Sequence, residues 1–191
     1  MSNAAPNLAS GDYVFLSFLT CEPMSAYDIK KFMAVSVSNF WSAAHSQVYQ
    51  QAKRLTRDGY LREQPVPGAR RKRVLHLTAK GRRAVMHWLR QPGRPPQFYC
   101  ESLVKLFFAA QAGDLEATKG ALLHDRDGFV QRLAAFEGLL PALRSDPAER
   151  YPALTLDLGI RLHRMMIEWI DDTVAELDRD IDAEEADAGV G

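Results

Sequence analysis

A segment rich in proline and glycine, residues 91–96, divides the chain into two parts that one helix cannot join. It contains three prolines and one glycine in six residues, and proline lacks the backbone N–H that a continuing helix needs. The charge changes sign at the same place. Residues 1–92 contain fourteen Lys and Arg against five Asp and Glu, whereas residues 93–191 contain ten against nineteen. We therefore predict a basic domain over 10–91, suited to a polyanion, and an acidic domain over 98–181.

The composition is that of a globular protein, because 47% of the 191 residues are apolar and 25% are charged. No apolar run approaches the roughly 18 residues that span a bilayer, and the amino terminus lacks the basic start and apolar stretch of a signal peptide. Cys21 and Cys100 lie far apart, which favours neither a disulfide framework nor a zinc site with paired thiolates. We expect a cytoplasmic protein without a membrane partner.

The basic domain begins with the pattern of three helices. The first is headed by Ser10 and Asp12 and the second begins at Ser25, all residue types that cap helices. The third covers 45–58, where apolar residues recur at helical spacing, and Gly59 supplies a left-handed stop.

Two short strands follow, over 60–64 and 73–77, around a turn at 65–69. A two-stranded sheet is marginal in water by itself, so the hairpin must rest against the helices through Leu61, Leu75 and Leu77. Thr78 can cap a fourth helix. Three helices followed by a hairpin with a cationic tip form the winged variant of the helix-turn-helix fold.

The third helix presents amide, hydroxyl and cationic side chains without one acid before Asp58. A solvated helix face normally mixes both signs, although a surface helix that is basic by chance is the simpler alternative. The major groove of B-DNA admits an α-helix that reads base edges, and the phosphates beside it require cations. We predict that Gln47 and Gln50 read bases in double-stranded DNA while cations hold the backbone. The predicted DNA-contacting residues are Ser46, Gln47, Tyr49, Gln50, Lys53, Arg54, Arg70, Arg71, Lys72 and Arg73.

The acidic domain has apolar residues at helical spacing in two long stretches. A seven-residue repeat from Leu122 to Leu143 predicts one helix, with Pro141 disturbing its end, and a second apolar stripe runs from Leu154 to Ile181. One antiparallel partner cannot cover stripes this wide, so we predict a homodimer that binds a pseudo-palindromic operator. The predicted fold class is mainly α with a small two-stranded β wing: a winged helix-turn-helix domain followed by an α-helical dimerisation domain.

The sequence predicts neither an enzyme nor a metal site nor a cofactor. The five histidines are scattered without an HExxH pair, and no glycine-rich phosphate loop or nucleophile elbow is present. Large apolar side chains near the boundary and on the last helix could line a pocket for a small aromatic effector, although core packing is the commoner role for each of them. The candidates for this pocket are Trp88, Phe107, Phe108, Met165 and Trp169.

Several motifs of the basic half, in order and at matching separations, resemble the PadR family of transcriptional regulators. They are MSAYDIK at 24–30, FWS at 40–42, SQVY at 46–49, KRL at 53–55, RKRV at 71–74, LT at 77–78 and Gly81. The acidic segment from Glu101 onward resembles the longer C-terminal domain of one branch of that family. Two positions depart from the usual pattern, since Ala26 replaces a frequent glycine and Gln50 a frequent proline.

The resemblance implies a dimeric winged-helix repressor, commonly relieved by a small molecule. Two alternatives belong to other classes of protein. One is a winged-helix adaptor whose basic face binds an acidic protein, and the other is a ligand-binding protein without an operator.

Overall fold

The computed structural model describes residues 8–37, 40–41, 47–66 and 73–188. The chain separates into two compact units, Met1–Pro95 and Pro96–Gly191. The division falls inside the proline-rich segment, where the hydrogen bonding of a helix cannot continue. Across the described ranges, no helix is both long and apolar enough to cross a membrane.

The first unit contains four helices and a two-stranded sheet within the described residues. They are α1 (Ser10–Phe18), α2 (Ala26–Ser36), α3 (Val48–Arg57), β1 (Leu61–Pro65), β2 (Arg73–Leu77) and α4 (Ala79–Trp88). The predicted caps are confirmed at Ser25 and Thr78, whose hydroxyl oxygens accept backbone N–H groups at 3.2 and 3.1 Å. Gly59 follows α3 with φ 77°, the left-handed conformation that the sequence predicts there.

The strands stand in the predicted order, and β2 has the predicted bounds. Leu61 lies opposite Leu77 in the antiparallel register, and Leu61 and Leu75 are buried as predicted. The Leu75 N–H donates to the Met24 carbonyl at 2.8 Å, which joins the hairpin to the segment before α2. The predicted start of the third helix at residue 45 lies outside the described residues, and α3 is described from Val48.

The core of the first unit forms where the helices meet the hairpin. Its completely buried side chains come from α1, α2, α3 and α4, and they are Phe15, Leu16, Ile29, Leu55 and Val85. These contacts fix which face of α3 remains at the surface.

Helices are the regular elements of the second unit within its described residues. It contains α5 (Glu101–Phe107), α6 (Ala109–Ala112), α7 (Leu115–Ser145), a 3-10 turn (Pro147–Glu149) and α8 (Arg150–Ala188). The predicted disturbance at Pro141 is wrong in extent, because α7 continues through this proline to Ser145. Proline cannot donate to the carbonyl four residues earlier, that of Glu137, and both Glu137 and Pro141 are exposed residues.

α7 and α8 pack side by side as an antiparallel pair. Leu122 of α7 and Ile170 and Leu177 of α8 are buried in their contact. Ion pairs follow the whole length of the contact, and residue numbers on one helix rise as those on the other fall. The pairs are Lys119–Asp178, Arg126–Asp171, Glu137–Arg164 and Arg144–Asp157.

Candidate nucleic-acid interface

α3 has one apolar face and one polar face. Val48, Ala52 and Leu55 point into the core and are at most 4% exposed. The side chains on the other face are exposed, polar or cationic, and they are Gln47, Tyr49, Gln50, Lys53 and Arg57. Because the buried residues recur at helical spacing, they hold the predicted base-reading residues Gln47 and Gln50 at the surface. Ser46, also predicted to contact DNA, lies outside the described residues.

A groove of about 480 Å³ lies between α3, the start of α2 and the hairpin. Tyr49, Lys53 and Arg73 all line it, so the structure brings three of the predicted contact residues together. Arg73 is paired with Glu63 across the hairpin at 2.6 Å and remains largely exposed. The other predicted cations of the wing, residues 70–72, lie outside the described residues.

Tyr27 is a member of this groove that the sequence reasoning missed. It lies near the start of α2, whose apolar residues Ile29 and Met33 are buried, whereas Tyr27 is 56% exposed. Lys31 Nζ lies 5.7 Å from the centre of its ring. The spacing contained the signal, because a residue two positions before Ile29 points to the opposite side of a helix. α2 thus adds an aromatic ring and a cation beside the α3 surface.

Arg54 has a partner that its position in the basic helix does not reveal. Its guanidinium pairs with the Asp12 carboxylate of α1, whose side chain is only 2% exposed. A buried carboxylate is costly without a charge partner, which explains why this cation turns toward α1. Its neighbour Lys53 is exposed. The two adjacent cations therefore have different environments.

The predicted effector residues divide into two groups. Trp88 stacks on Tyr13 of the first unit, with ring centres 5.3 Å apart and planes 3° from parallel. Phe107 and Phe108 contact each other edge to face at 5.0 Å and are largely exposed. None of these three residues lines the groove beside α3 or the apolar cleft of the second unit described next.

Met165 and Trp169 do lie together, on the wall of an apolar cleft of about 340 Å³ in the second unit. The remaining wall residues are also apolar, and they are Phe98, Leu103, Leu162 and Met166. A cleft of this kind accommodates an apolar or flat aromatic group.

α8 carries a second apolar face that α7 does not cover. Its residues recur every three or four positions and are between 38% and 73% exposed, and they are Tyr151, Leu154, Leu158, Leu162 and Met165. We refer to these five residues as the α8 stripe. A stripe of this spacing is typical of a helix that packs against two neighbours.

Comparison with known proteins divides the chain in the same way. Residues 15–87 match the model of the transcriptional regulator PadR-like family, and residues 101–178 match the virulence activator alpha C-terminal domain. The negative transcriptional regulator PadR of Bacillus subtilis is 27% identical over 180 residues, which cover 88% of this chain and 97% of that protein.

Solved structures share the fold over nearly their whole length. The Vibrio cholerae virulence activator AphA aligns with a TM-score of 0.71 and 26% identity, covering 89% of this chain and 99% of AphA. Bacillus subtilis PadR in complex with operator DNA aligns with a TM-score of 0.74 and 24% identity, covering 88% and 99%. The same protein in complex with p-coumaric acid aligns with a TM-score of 0.66 and 23% identity, covering 87% and 94%. Since both family models match in order and the relatives are spanned almost end to end, the chain belongs to the PadR family of transcriptional regulators, in the branch with a long helical C-terminal domain.

Proposed function

We propose that the protein is a homodimeric repressor that binds a pseudo-palindromic DNA operator through α3 and the wing. The observation that carries the proposal is the exposed face of α3, which presents two glutamines and two cations above a buried apolar face. Bacillus subtilis PadR, a negative regulator that forms a complex with operator DNA, supports it as a relative. An adaptor for an acidic protein would use the same charge but would not need amide groups at this surface.

Each group of side chains has a separate role in this proposal. Gln47 and Gln50 read base edges, because a glutamine amide can donate to and accept from one adenine in the major groove. Lys53, Tyr49 and Arg73 hold phosphates on either side of the groove, as do the remaining wing cations at 70–72. Contacts to phosphate position the protein, whereas contacts to bases select the sequence.

The second unit joins two copies in this proposal. The α8 stripe is the largest set of exposed apolar residues on α8, and a second copy would cover it. A two-fold dimer would present its two α3 helices to half-sites about 34 Å apart, one turn of the duplex.

A flat aromatic effector that releases the DNA completes the proposal. Its site is the apolar cleft that contains Met165 and Trp169. The complex of Bacillus subtilis PadR with p-coumaric acid supports an effector of this chemical class. Leu162 and Met165 belong to both the cleft and the α8 stripe, so an occupant of the cleft would act on the proposed dimer contact.

The test begins with selection of bound fragments from a random DNA library, followed by titration of the selected sequence and of random DNA at two salt concentrations. Gln50→Ala should weaken binding to the selected sequence by about 1–3 kcal/mol per lost base contact and leave binding to random DNA unchanged. Replacing Arg71 and Arg73 by Ala should weaken binding to both DNAs alike and make the affinity less dependent on salt. Gln91→Ala, an exposed amide outside α3, is the matched control.

Two results would count against the proposal. Equal, sequence-independent losses in the α3 and wing variants would show that α3 does not read bases. A wild-type protein that selects no DNA would favour the adaptor.

A further inference from the structure

The Asp12 carboxylate accepts hydrogen bonds from three donors, two on α3 and one at the N-terminal cap of α1. Its Oδ2 accepts the Ala9 N–H at 3.0 Å, and its Oδ1 accepts Gln51 Nε2 at 2.8 Å together with a guanidinium N–H of Arg54. The residue is 1% exposed and is the only fully buried acid among the described residues. Its position at the start of α1 places this charge against the flank of α3.

Gln51 and Arg54 occupy one flank of α3, one turn apart, and both are half-buried. Tyr49 and Lys53 occupy the opposite flank, along the groove toward α2 and the hairpin. The exposed face lies between the two flanks. A fixed contact on the Asp12 side therefore sets the rotation of α3 about its own axis.

We propose that Asp12 is a positioning residue for DNA recognition, which anchors α3 through Gln51 and Arg54 and withholds Arg54 from the DNA backbone. The inference rests on the proposed function of α3. A phosphate that captured Arg54 would leave the Asp12 carboxylate buried without its cation, and an unpaired buried charge is strongly unfavourable. The exposed cations Arg57 and Arg73 pair with Asp58 and Glu63, carboxylates that water still reaches, so a phosphate that captured them would leave no buried charge unpaired. Arg54 therefore contributes orientation to binding, and Lys53 contributes charge.

Asp12→Asn tests this inference because asparagine preserves the shape of the side chain but cannot hold the guanidinium by charge. Arg54 is then free to reach phosphate, so the plot of log affinity for random DNA against log salt should become steeper by about 0.9 per protomer. The ratio of affinities for selected and random DNA should fall about tenfold, the equivalent of one displaced base contact. A purely structural role would lower the unfolding midpoint and leave the slope unchanged.

Arg54→Gln supplies an independent measurement, and the double variant Asp12→Asn/Arg54→Gln, which leaves no buried charge unpaired, replaces either single variant that unfolds. When Arg54 does not contact phosphate, its removal leaves the salt slope at the wild-type value while the affinity ratio falls. A phosphate contact would instead make the slope shallower by about 0.9 per protomer. The double variant should return the slope of Asp12→Asn to the wild-type value, since the released cation is absent.

Glu22→Gln is the control for net charge, because Glu22 is an exposed acid of the same unit that lies on neither α1 nor α3. The inference is overturned if Asp12→Asn and Glu22→Gln change the slope and the affinity ratio equally, or if Arg54→Gln makes the slope shallower. A wild-type protein that binds no DNA refutes the proposed function itself. Wild-type binding with unaffected variants refutes only the role of Asp12.

Discussion

Leu158→Asp should separate the proposed dimer into monomers. Leu158 lies in the middle of the α8 stripe and is 68% exposed, so the substitution leaves the contact between α7 and α8 intact. The helix should form as before, because residue 158 faces away from that contact. A loss of association would therefore report on the stripe rather than on folding.

The magnitude follows from the exposed surface of this side chain. Complete burial of a leucine contributes about 1.5–3 kcal/mol, so burial of the exposed part contributes about 1–2 kcal/mol per copy. A two-fold contact counts this twice, about 2–4 kcal/mol in all. Loss of hydration by two aspartates adds at least about 2 kcal/mol. The dissociation constant of the dimer should rise by about a thousandfold or more.

Sedimentation velocity over a wide range of protein concentration measures this change. Val35→Asp is the matched control, because Val35 is 73% exposed on α2 and lies outside the second unit. Circular dichroism checks that both variants retain their helices. If Leu158→Asp sediments as the wild type does at every concentration, the α8 stripe is not the contact. A wild-type monomer at high concentration would refute the dimer altogether.

Three further predictions concern stability and ligand binding. Gly81→Ala should lower stability by about 1–3 kcal/mol in urea unfolding, since its new Cβ would lie 2.2 Å from a backbone oxygen, whereas Gly120→Ala meets nothing within 4 Å and should not destabilise. The hydrogen bond and charge of Arg126 lower the pKa of Asp171 below its ordinary value of 3.8. The ion pair therefore stabilises the folded state above that pH, and its contribution is lost as acid protonates the folded carboxylate. Asp171→Asn should weaken this acid dependence of the melting temperature. A flat aromatic acid should quench tryptophan emission and weaken DNA binding, and Trp169→Phe should abolish the quenching; unchanged emission and unchanged DNA affinity would exclude the effector site.

The elements of the first unit could be predicted because their signals are local. Ser25 and Thr78 cap helices through their own hydroxyl groups, and Gly59 ends α3 by its own backbone conformation. The polar face of α3 was equally predictable. In a helix with 3.6 residues per turn, Gln50 lies two positions after the buried Val48 and therefore points to the opposite side. Each of these inferences needs only residues within one or two helical turns.

The different environments of Lys53 and Arg54 could not be predicted in this way. Both are cations on one basic helix, and both were predicted to contact the DNA backbone. What separates them is Asp12, which lies 42 residues earlier in the chain and meets Arg54 only after α1 and α3 pack together. Contacts distant in sequence leave no periodic signal, so the ion pair required the structure.

The spacing of the charged residues on α8 is visible in the sequence, but its role becomes clear only when α7 is known to be the helix that they pair with. Charged residues that pair with α7 recur every seven positions, and exposed pairs of this kind stabilise the fold little individually. They do select one alignment of the two helices. A slip of seven residues in one direction would place Arg164 opposite Arg126 and Asp157 opposite Glu137, and the reverse slip would place Arg164 opposite Arg144. The apolar repeat of α7 alone does not exclude such slips, because it has the same period, so the charges act together with the short connection between Ser145 and Arg150 to fix the register of the hairpin.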